Sequence, residues 1–336
     1  MSLPPSVIDG FLVDWEEGEY KAQVEMMRQM SQKLTLVIPA YAEGGSNSSS
    51  RAKRAQAVRD RLNRTARKVP EVMVKIYSSC RGMKQVGRHI DYISRKGHID
   101  LEDQDGIILR GKDRLKELKE DWRTGGPEEI AGDSTRRDTL NIVFSMPAHT
   151  DEVSMKRAVR DFARVEFKNH QYVFAYHTQA TDPDPNPPAH PHVHMSVKTL
   201  GLNGRRLNPR KADLQRWREG FAEQLRVHGI DANATSRLAR LKPERGVKRA
   251  VLAMRDKDKA PPAAETAAES AMRKTRGEEL EARRIAYYAL AVEALSMSDD
   301  PNDRKLAEDL NKSVLGHNGK EPTPLKVERQ GPERER

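Results

Sequence analysis

Apolar residues recur along the chain in two periods, and they predict a mixed fold. EVMVKIYSS (71–79) alternates and is rich in Val and Ile, as a half-buried strand does. MKQVGRHIDYISRKG (83–97) places Met83, Val86, Ile90 and Ile93 at helical spacing and predicts a helix capped by Gly97. A polar helix over 111–123 carries Leu115, Leu118 and Trp122 on one face. DTLNIVFSMP (138–147) alternates again, with Leu140, Ile142, Phe144 and Met146 together and Pro147 as its end. A helix follows from Asp151 to Phe167, with Thr150 as the expected N-cap. QYVFAYH (171–177) and HPHVHMSVKTL (190–200) read as two more strands, and 208–229 as an amphipathic helix ending at Gly229. Consecutive strands with short links and single helices imply an α+β fold: a central antiparallel sheet with helices on one face.

Outside this block the apolar signal thins. Residues 1–70 hold a short acidic segment, a Met-rich stretch (24–33) and GGSNSSS (44–50), which reads as a flexible linker. Residues 51–68 then carry eight Lys/Arg and one Asp, a net of +7 over a thin stripe of Ala55, Val58 and Leu62. They suit a solvated basic helix or a phosphate-binding arm about equally. Residues 237–259 carry a net of +6, 259–270 read as a linker, and 271–298 and 303–315 as two helices able to form a hairpin. The tail 317–336 is polar and is expected to be disordered. The expected division is therefore a flexible N-terminal extension with a basic arm (1–70), a folded domain (71–240) and a helical or disordered C-terminal region (241–336).

Composition narrows the classes. Of 336 residues, 33% are charged, 36% hydrophobic and 5% aromatic, too polar for one compact globule. The net charge of +10 points to a polyanionic partner, and the two basic segments hold more than that excess. A single cysteine, Cys80, excludes an internal disulfide framework and suits a reducing compartment. No apolar run is long enough for a membrane span, and the N-terminus lacks a signal-peptide pattern, so a cytoplasmic protein is expected.

The chemistry concentrates in histidines. On a strand, alternate residues share a face, so His192 and His194 project together with Ser196 and Lys198, opposite Val193, Met195 and Val197. His177 ends the preceding strand on the face opposite Tyr172, Phe174 and Tyr176. If the two strands pair, three imidazoles converge on a point able to hold a divalent cation with positions left open. His190 shares that face but lies in the mouth of a Pro-rich loop (178–189). In that loop a stiff connection is the plainer role for Asp182 and Asp184 than ligation or orientation of a ring. Spacing alone leaves zinc with an activated water, or magnesium or manganese with a phosphate; the basic charge favours the phosphodiester.

YISRKGHIDLE (92–102), VFSMP (143–147), AYH (175–177), HPHVH (190–194) and HGIDANATSR (228–237) follow one another as in conjugative relaxases of the HUH class. Over about residues 71–240 the chain resembles the mobilisation relaxases that include the T-DNA border-nicking relaxase. The resemblance implies site- and strand-specific DNA nicking and strand transfer at an origin of transfer, through a 5′-phosphotyrosine. It implies Tyr92 as the nucleophile among eight tyrosines, and His177, His192 and His194 as ligands of Mg²⁺ or Mn²⁺. Ser145, in the middle motif, is expected near the nick. Arg95, Lys96, His190 and Lys198 are the further candidate DNA contacts, and Asp182 or Asp184 the candidate orienting carboxylate. The implied partners are single-stranded origin DNA, relaxosome accessory proteins and a type IV coupling protein, with export alongside the strand. Two positions depart from the family pattern: Gln179 stands where an aspartate is frequent, and Lys198 where an asparagine is. An HUH replication initiator or transposase, and a non-enzymatic DNA-binding accessory protein, are the competing readings.

Overall fold

The computed structural model describes residues 3–21, 48–183, 187–236, 239–240 and 267–316. The Met-rich stretch, Asp184, nearly all of the basic segment 237–259 and the tail 317–336 lie outside the described residues. The chain divides into two units, one of residues 69–236 and one in which residues 1–68 join 237–336.

The first unit contains β1 (Met73–Cys80), α3 (Met83–Ile93), β2 (Leu101–Asp103), β3 (Ile108–Leu109), α4 (Gly111–Thr124), β4 (Thr139–Ser145), α5 (Glu152–Glu166), β5 (Tyr172–His177), β6 (His192–Lys198) and α6 (Lys211–Val227). The other holds α1 (Pro5–Lys21), α2 (Ser48–Ala66), α7 (Ala267–Ser296) and α8 (Pro301–Leu310). The six strands form one sheet in the order β1-β4-β6-β5-β2-β3, every neighbour antiparallel. The expected α+β class and antiparallel sheet are thus present; β2 and β3 are too short to leave a period in the sequence. Asp151, not Thr150, caps α5: its carboxylate accepts from the Ser154 amide at 2.7 Å.

Alternation assigns the strands' residues to two cores. Ile142, Phe144, Tyr172, Phe174, Val193, Met195 and Val197 point one way and pack under α5 and α6. Phe144 is fully buried and meets Phe162 and Phe221 at centroid distances of 5.4 and 5.2 Å, both edge-on. The opposite face was expected to be bare of helices, and it is not. Val173 and Ala175 pack there with Val86, Ile90 and Ile93 of α3 and Leu115, Leu118 and Trp122 of α4. The apolar stripes of α3 and α4 require this, since a stripe left in water would forfeit its burial energy. The cover is partial, and the polar side chains of β1, β4 and β6 occupy the remainder of that face.

The terminal segments are not two independent extensions. Ile8, Phe11, Leu12 and Trp15 of α1, Val58 and Leu62 of α2, Tyr288 and Leu295 of α7 and Leu306 and Leu310 of α8 share one core. Trp15 stacks on Tyr287 at 4.1 Å. The thin stripe of α2 is its buried face, and Ser48–Ser50, expected as linker, begin the helix. Several of the arginines expected to grip phosphate are used inside the unit. Arg59 binds Asp9 at 2.6 Å and Asp303 at 2.7 Å, Arg61 pairs with Glu16, and Arg51 approaches Asp14 at 3.7 Å. No described helix is long and apolar enough to cross a membrane.

Phe144→Ala is expected to destabilise the sheet unit by about 3–5 kcal/mol, read as a shift of its denaturant midpoint. Leu202→Ala, at a side chain 61% exposed, should shift it by less than about 0.5 kcal/mol.

Candidate active site

The antiparallel register of the central strands assembles the histidines. His177 lies opposite His192 across the β5–β6 pair, and Ser145 lies opposite His192 across β4–β6. His194 follows two residues on. The His177, His192 and His194 rings stand 4.9–5.2 Å apart, and one nitrogen of each lies within 4.8 Å of those of the other two. Convergence of these three imidazoles, expected from strand parity, is what the fold produces. All three side chains are buried or nearly so. Burial favours the neutral ring: it lowers the His177 pKa, and it brings His192 down to about 4 and His194 to about 2.

Each ring has a partner at Nδ1. His177 Nδ1 lies 2.9 Å from Asp182 Oδ2, His192 Nδ1 lies 3.2 Å from the His190 carbonyl, and His194 Nδ1 lies 3.1 Å from the Tyr77 hydroxyl. An acceptor at Nδ1 can take the single proton of a neutral imidazole and leave Nε2 with its lone pair, the form that ligates metal; the Asp182 carboxylate and the His190 carbonyl only accept, whereas the Tyr77 hydroxyl can also donate. His177 Nε2 also stands 2.7 Å from the Ile93 carbonyl. A neutral ring has one proton for two acceptors, so His177 donates either to Asp182 from Nδ1 or to the Ile93 carbonyl from Nε2, and a cation at Nε2 would require the first. The donor set fits a divalent ion.

Asp182 is the carboxylate that meets the His177 ring. A turn in which the Asp182 amide donates to the Thr178 carbonyl at 3.0 Å brings the carboxylate back to the ring. The carboxylate beside the ring thus comes from three residues beyond Gln179. Arg95 closes the other side of Asp182 with two bonds of 2.8 Å, from Nε to Oδ1 and from Nη2 to Oδ2. Arg95 was expected to hold DNA; its guanidinium is instead committed to this carboxylate. It also donates to the Tyr92 carbonyl at 2.9 Å and lies 4.8 Å from the Tyr92 ring centre.

Tyr92 ends α3 with its side chain 52% exposed. Its ring meets His194 edge-on at 5.8 Å. Among the other described tyrosine side chains, Tyr172, Tyr287 and Tyr288 are buried, Tyr176 packs against the sheet core, and Tyr77 is bonded to histidines. Arg95 and Lys96 follow at φ of 49° and 56°, consecutive non-glycine residues in the left-handed region. Each costs about 1–2 kcal/mol in that region, and the Arg95–Asp182 pair helps to hold the bend. Gly97 continues it at φ 89°, where a Cβ would lie 3.0 Å from the Gly111 carbonyl carbon.

Residues 92–230 match the relaxase family described as MobA/VirD2-like, nuclease domain. Within the sheet unit, residues 92–230 are a relaxase-family nuclease domain. No curated protein matches the chain. Relaxase nucleases are metal-dependent DNA-nicking endonucleases, in keeping with the buried histidines.

Other expected contacts are placed unequally. Ser145 is buried on the histidine face beside His192, His190 is exposed at the rim with its ring 5.7 Å from that of His192, and Lys96 is exposed next to Tyr92. Lys198 is not at the relaxase site. It lies four residues beyond His194, buried, with Nζ donating to the Gly125 carbonyl at 2.6 Å and to Gln171 at 2.8 Å, and burial lowers its pKa to about 8. Tyr77 and His89, absent from the expected site residues, join His194 in one hydrogen-bonded row; His89 stands one helical turn before Tyr92, the one local signal of its place.

Asp182→Asn is expected to weaken Mn²⁺ binding by about 10–100-fold while the far-ultraviolet circular dichroism stays that of the parent. Isothermal titration with Mn²⁺ measures it.

Proposed function

We propose that this relaxase nicks one DNA strand at a plasmid or integrative-element origin of transfer and transfers it through a 5′-phosphotyrosine at Tyr92. The observation that carries the reading is the exposed Tyr92 ring against His194, one member of a neutral three-histidine cluster. The Tyr92 ring is open to a strand, and the neutral histidines beside it can take up a cation.

In the proposed reaction Tyr92 Oη attacks the scissile phosphorus, the phosphorus–O3′ bond breaks, and the upstream strand leaves with a 3′-hydroxyl. The phenol gives up one proton and the 3′-oxygen gains one. One phosphodiester replaces another, so the step runs in both directions and a later 3′-hydroxyl can reclaim the strand. A divalent cation, Mg²⁺ or Mn²⁺, held by His177, His192 and His194 would supply positive charge against a non-bridging phosphate oxygen. Arg95 fixes the end of α3 relative to Asp182 and His177, so that nucleophile and cation ligands keep one spacing. Lys96, Ser145 and His190 line the approach of the strand. The basic segment 237–259 and the exposed Lys53 and Arg54 of α2 supply sequence-independent attraction to phosphates.

The reading extends to a cytoplasmic relaxosome: accessory proteins beside the nuclease, a type IV coupling protein, and export of the protein with its strand. The test is to incubate the full chain with single-stranded origin DNA and Mn²⁺ and to map any tyrosine–DNA peptide by mass spectrometry. The adduct is expected on Tyr92, absent in Tyr92→Phe and absent after chelation with EDTA, while DNA binding by the Tyr92→Phe protein persists. DNA binding without an adduct in the parent protein would assign the chain to the accessory class instead.

A further inference from the structure

Tyr77 and His89 play no part in the chemistry above, yet the fold departs from regularity to bring them to it. β1 and β4 pair residue by residue from Met73 to Ile76, opposite Ser145 to Ile142. The register then slips, so that Ser78 rather than Tyr77 lies opposite Asn141. Tyr77 is the extra residue of a bulge, a device that re-aims a side chain beside functional sites. Its hydroxyl ends 3.1 Å from His194 Nδ1 and 3.0 Å from His89 Nε2.

We propose that Tyr77 and His89 are positioning residues: a hydrogen-bonded relay that holds His194 in the Nε2-ligating tautomer and seats the ring of Tyr92 beside it. The inference rests on the metal-centre reading of the three histidines. His177 and His192 have a carboxylate and a backbone carbonyl at Nδ1, groups that only accept. His194 alone has a hydroxyl, which both donates and accepts. The row therefore has two directions. In one, His194 Nδ1–H donates to Tyr77 Oη, and Tyr77 Oη–H donates to His89 Nε2; His194 Nε2 keeps its lone pair. In the other, all donors reverse, His194 carries its proton on Nε2 and cannot ligate. The first requires His89 to carry its own proton on Nδ1 and accept at Nε2, and the relay is proposed in that direction. Without the Tyr77 hydroxyl, an Nδ1 proton on His194 would be buried with nothing to receive it, and the ring would move the proton to Nε2.

The same residues brace the nucleophile. His89 stacks on Tyr92 at 6.0 Å and 29° between planes, one helical turn earlier on α3. Tyr92 meets His194 edge-on at 5.8 Å, Tyr77 meets His194 edge-on at 5.3 Å, and Tyr77 meets His89 at 5.8 Å. Four rings close a circuit that joins the bulge of β1, the end of α3 and the middle of β6.

The test uses the full chain with ¹⁵N-labelled histidine, first metal-free. The His194 ring nitrogens should report a proton on Nδ1 in the parent protein and a shift toward Nε2 in Tyr77→Phe. The Mn²⁺ dissociation constant of Tyr77→Phe should rise by about tenfold or more, with an unchanged melting temperature. His89→Phe keeps a ring against Tyr92 and removes the acceptor; it should move the tautomer and the Mn²⁺ constant the same way. An unaltered His194 tautomer in both variants overturns the relay. Parental Mn²⁺ affinity in Tyr77→Phe does so as well. Parent protein that binds no Mn²⁺ overturns the metal reading, and the metal-free spectra still judge the relay on their own.

Discussion

Burying three imidazoles side by side is costly unless each is neutral and each keeps a hydrogen-bond partner, and the nuclease unit is organised around meeting that condition. Desolvation removes the charged form. What remains is a proton per ring that needs an acceptor away from the point where the rings meet. The three partners come from three places: a loop carboxylate at Asp182, the backbone at His190 and a hydroxyl from the far edge of the sheet at Tyr77. Only an antiparallel register that sets His177 opposite His192 lets all three act at once. A one-residue slip between β5 and β6 would turn the histidines into the aromatic core and expose its apolar side chains to the polar layer.

That constraint explains why the second sheet face is partly covered. A bare polar face would leave the histidines hydrated and free to protonate. A complete helical cover would shut the strand out. α3 and α4 cover the β5 and β2 side of the face, and α3 ends where the histidines begin. The end of α3 is thus a position at which one side chain, Tyr92, is open to solvent while its neighbours Ile90 and Ile93 are fully buried. The left-handed pair Arg95 and Lys96 turns the chain away immediately afterwards, and Arg95 returns its guanidinium to Asp182.

The parts of this arrangement that depend on local period were legible in the sequence. Alternation placed His192 and His194 on one face and Val193, Met195 and Val197 on the other, and the helical stripe of α3 ran through Val86, Ile90 and Ile93. What depends on long-range pairing was not. Asp182 lies in a Pro-rich loop whose composition signals only stiffness; its role follows from a turn and from Arg95, 87 residues earlier. Tyr77 enters through a register slip that no pattern within β1 announces. Lys198 shares strand parity with the histidines, but parity fixes a face and not a position along the strand, and its amine is spent on Gly125 and Gln171. The union of the two chain ends in one helical core was hidden for the same reason: the stripe of α2 is narrow because α1, α7 and α8 supply the rest of the packing.

Charge tells a similar story at larger scale. A net of +7 over 51–68 reads as a phosphate grip only while its acids are sought nearby in sequence. The acids that answer Arg59 are Asp9 and Asp303, 50 and 244 residues away. A partly buried arginine between two carboxylates is structural, since its removal would strand Asp303, which is 2% exposed. The charge of α2 is therefore divided by face: the inner arginines hold the helical unit together, and Lys53 and Arg54, on the exposed face, contribute to the field that a polyanion meets. Net charge counts both alike, and only the burial of each residue separates the cation that builds the protein from the cation that attracts its substrate.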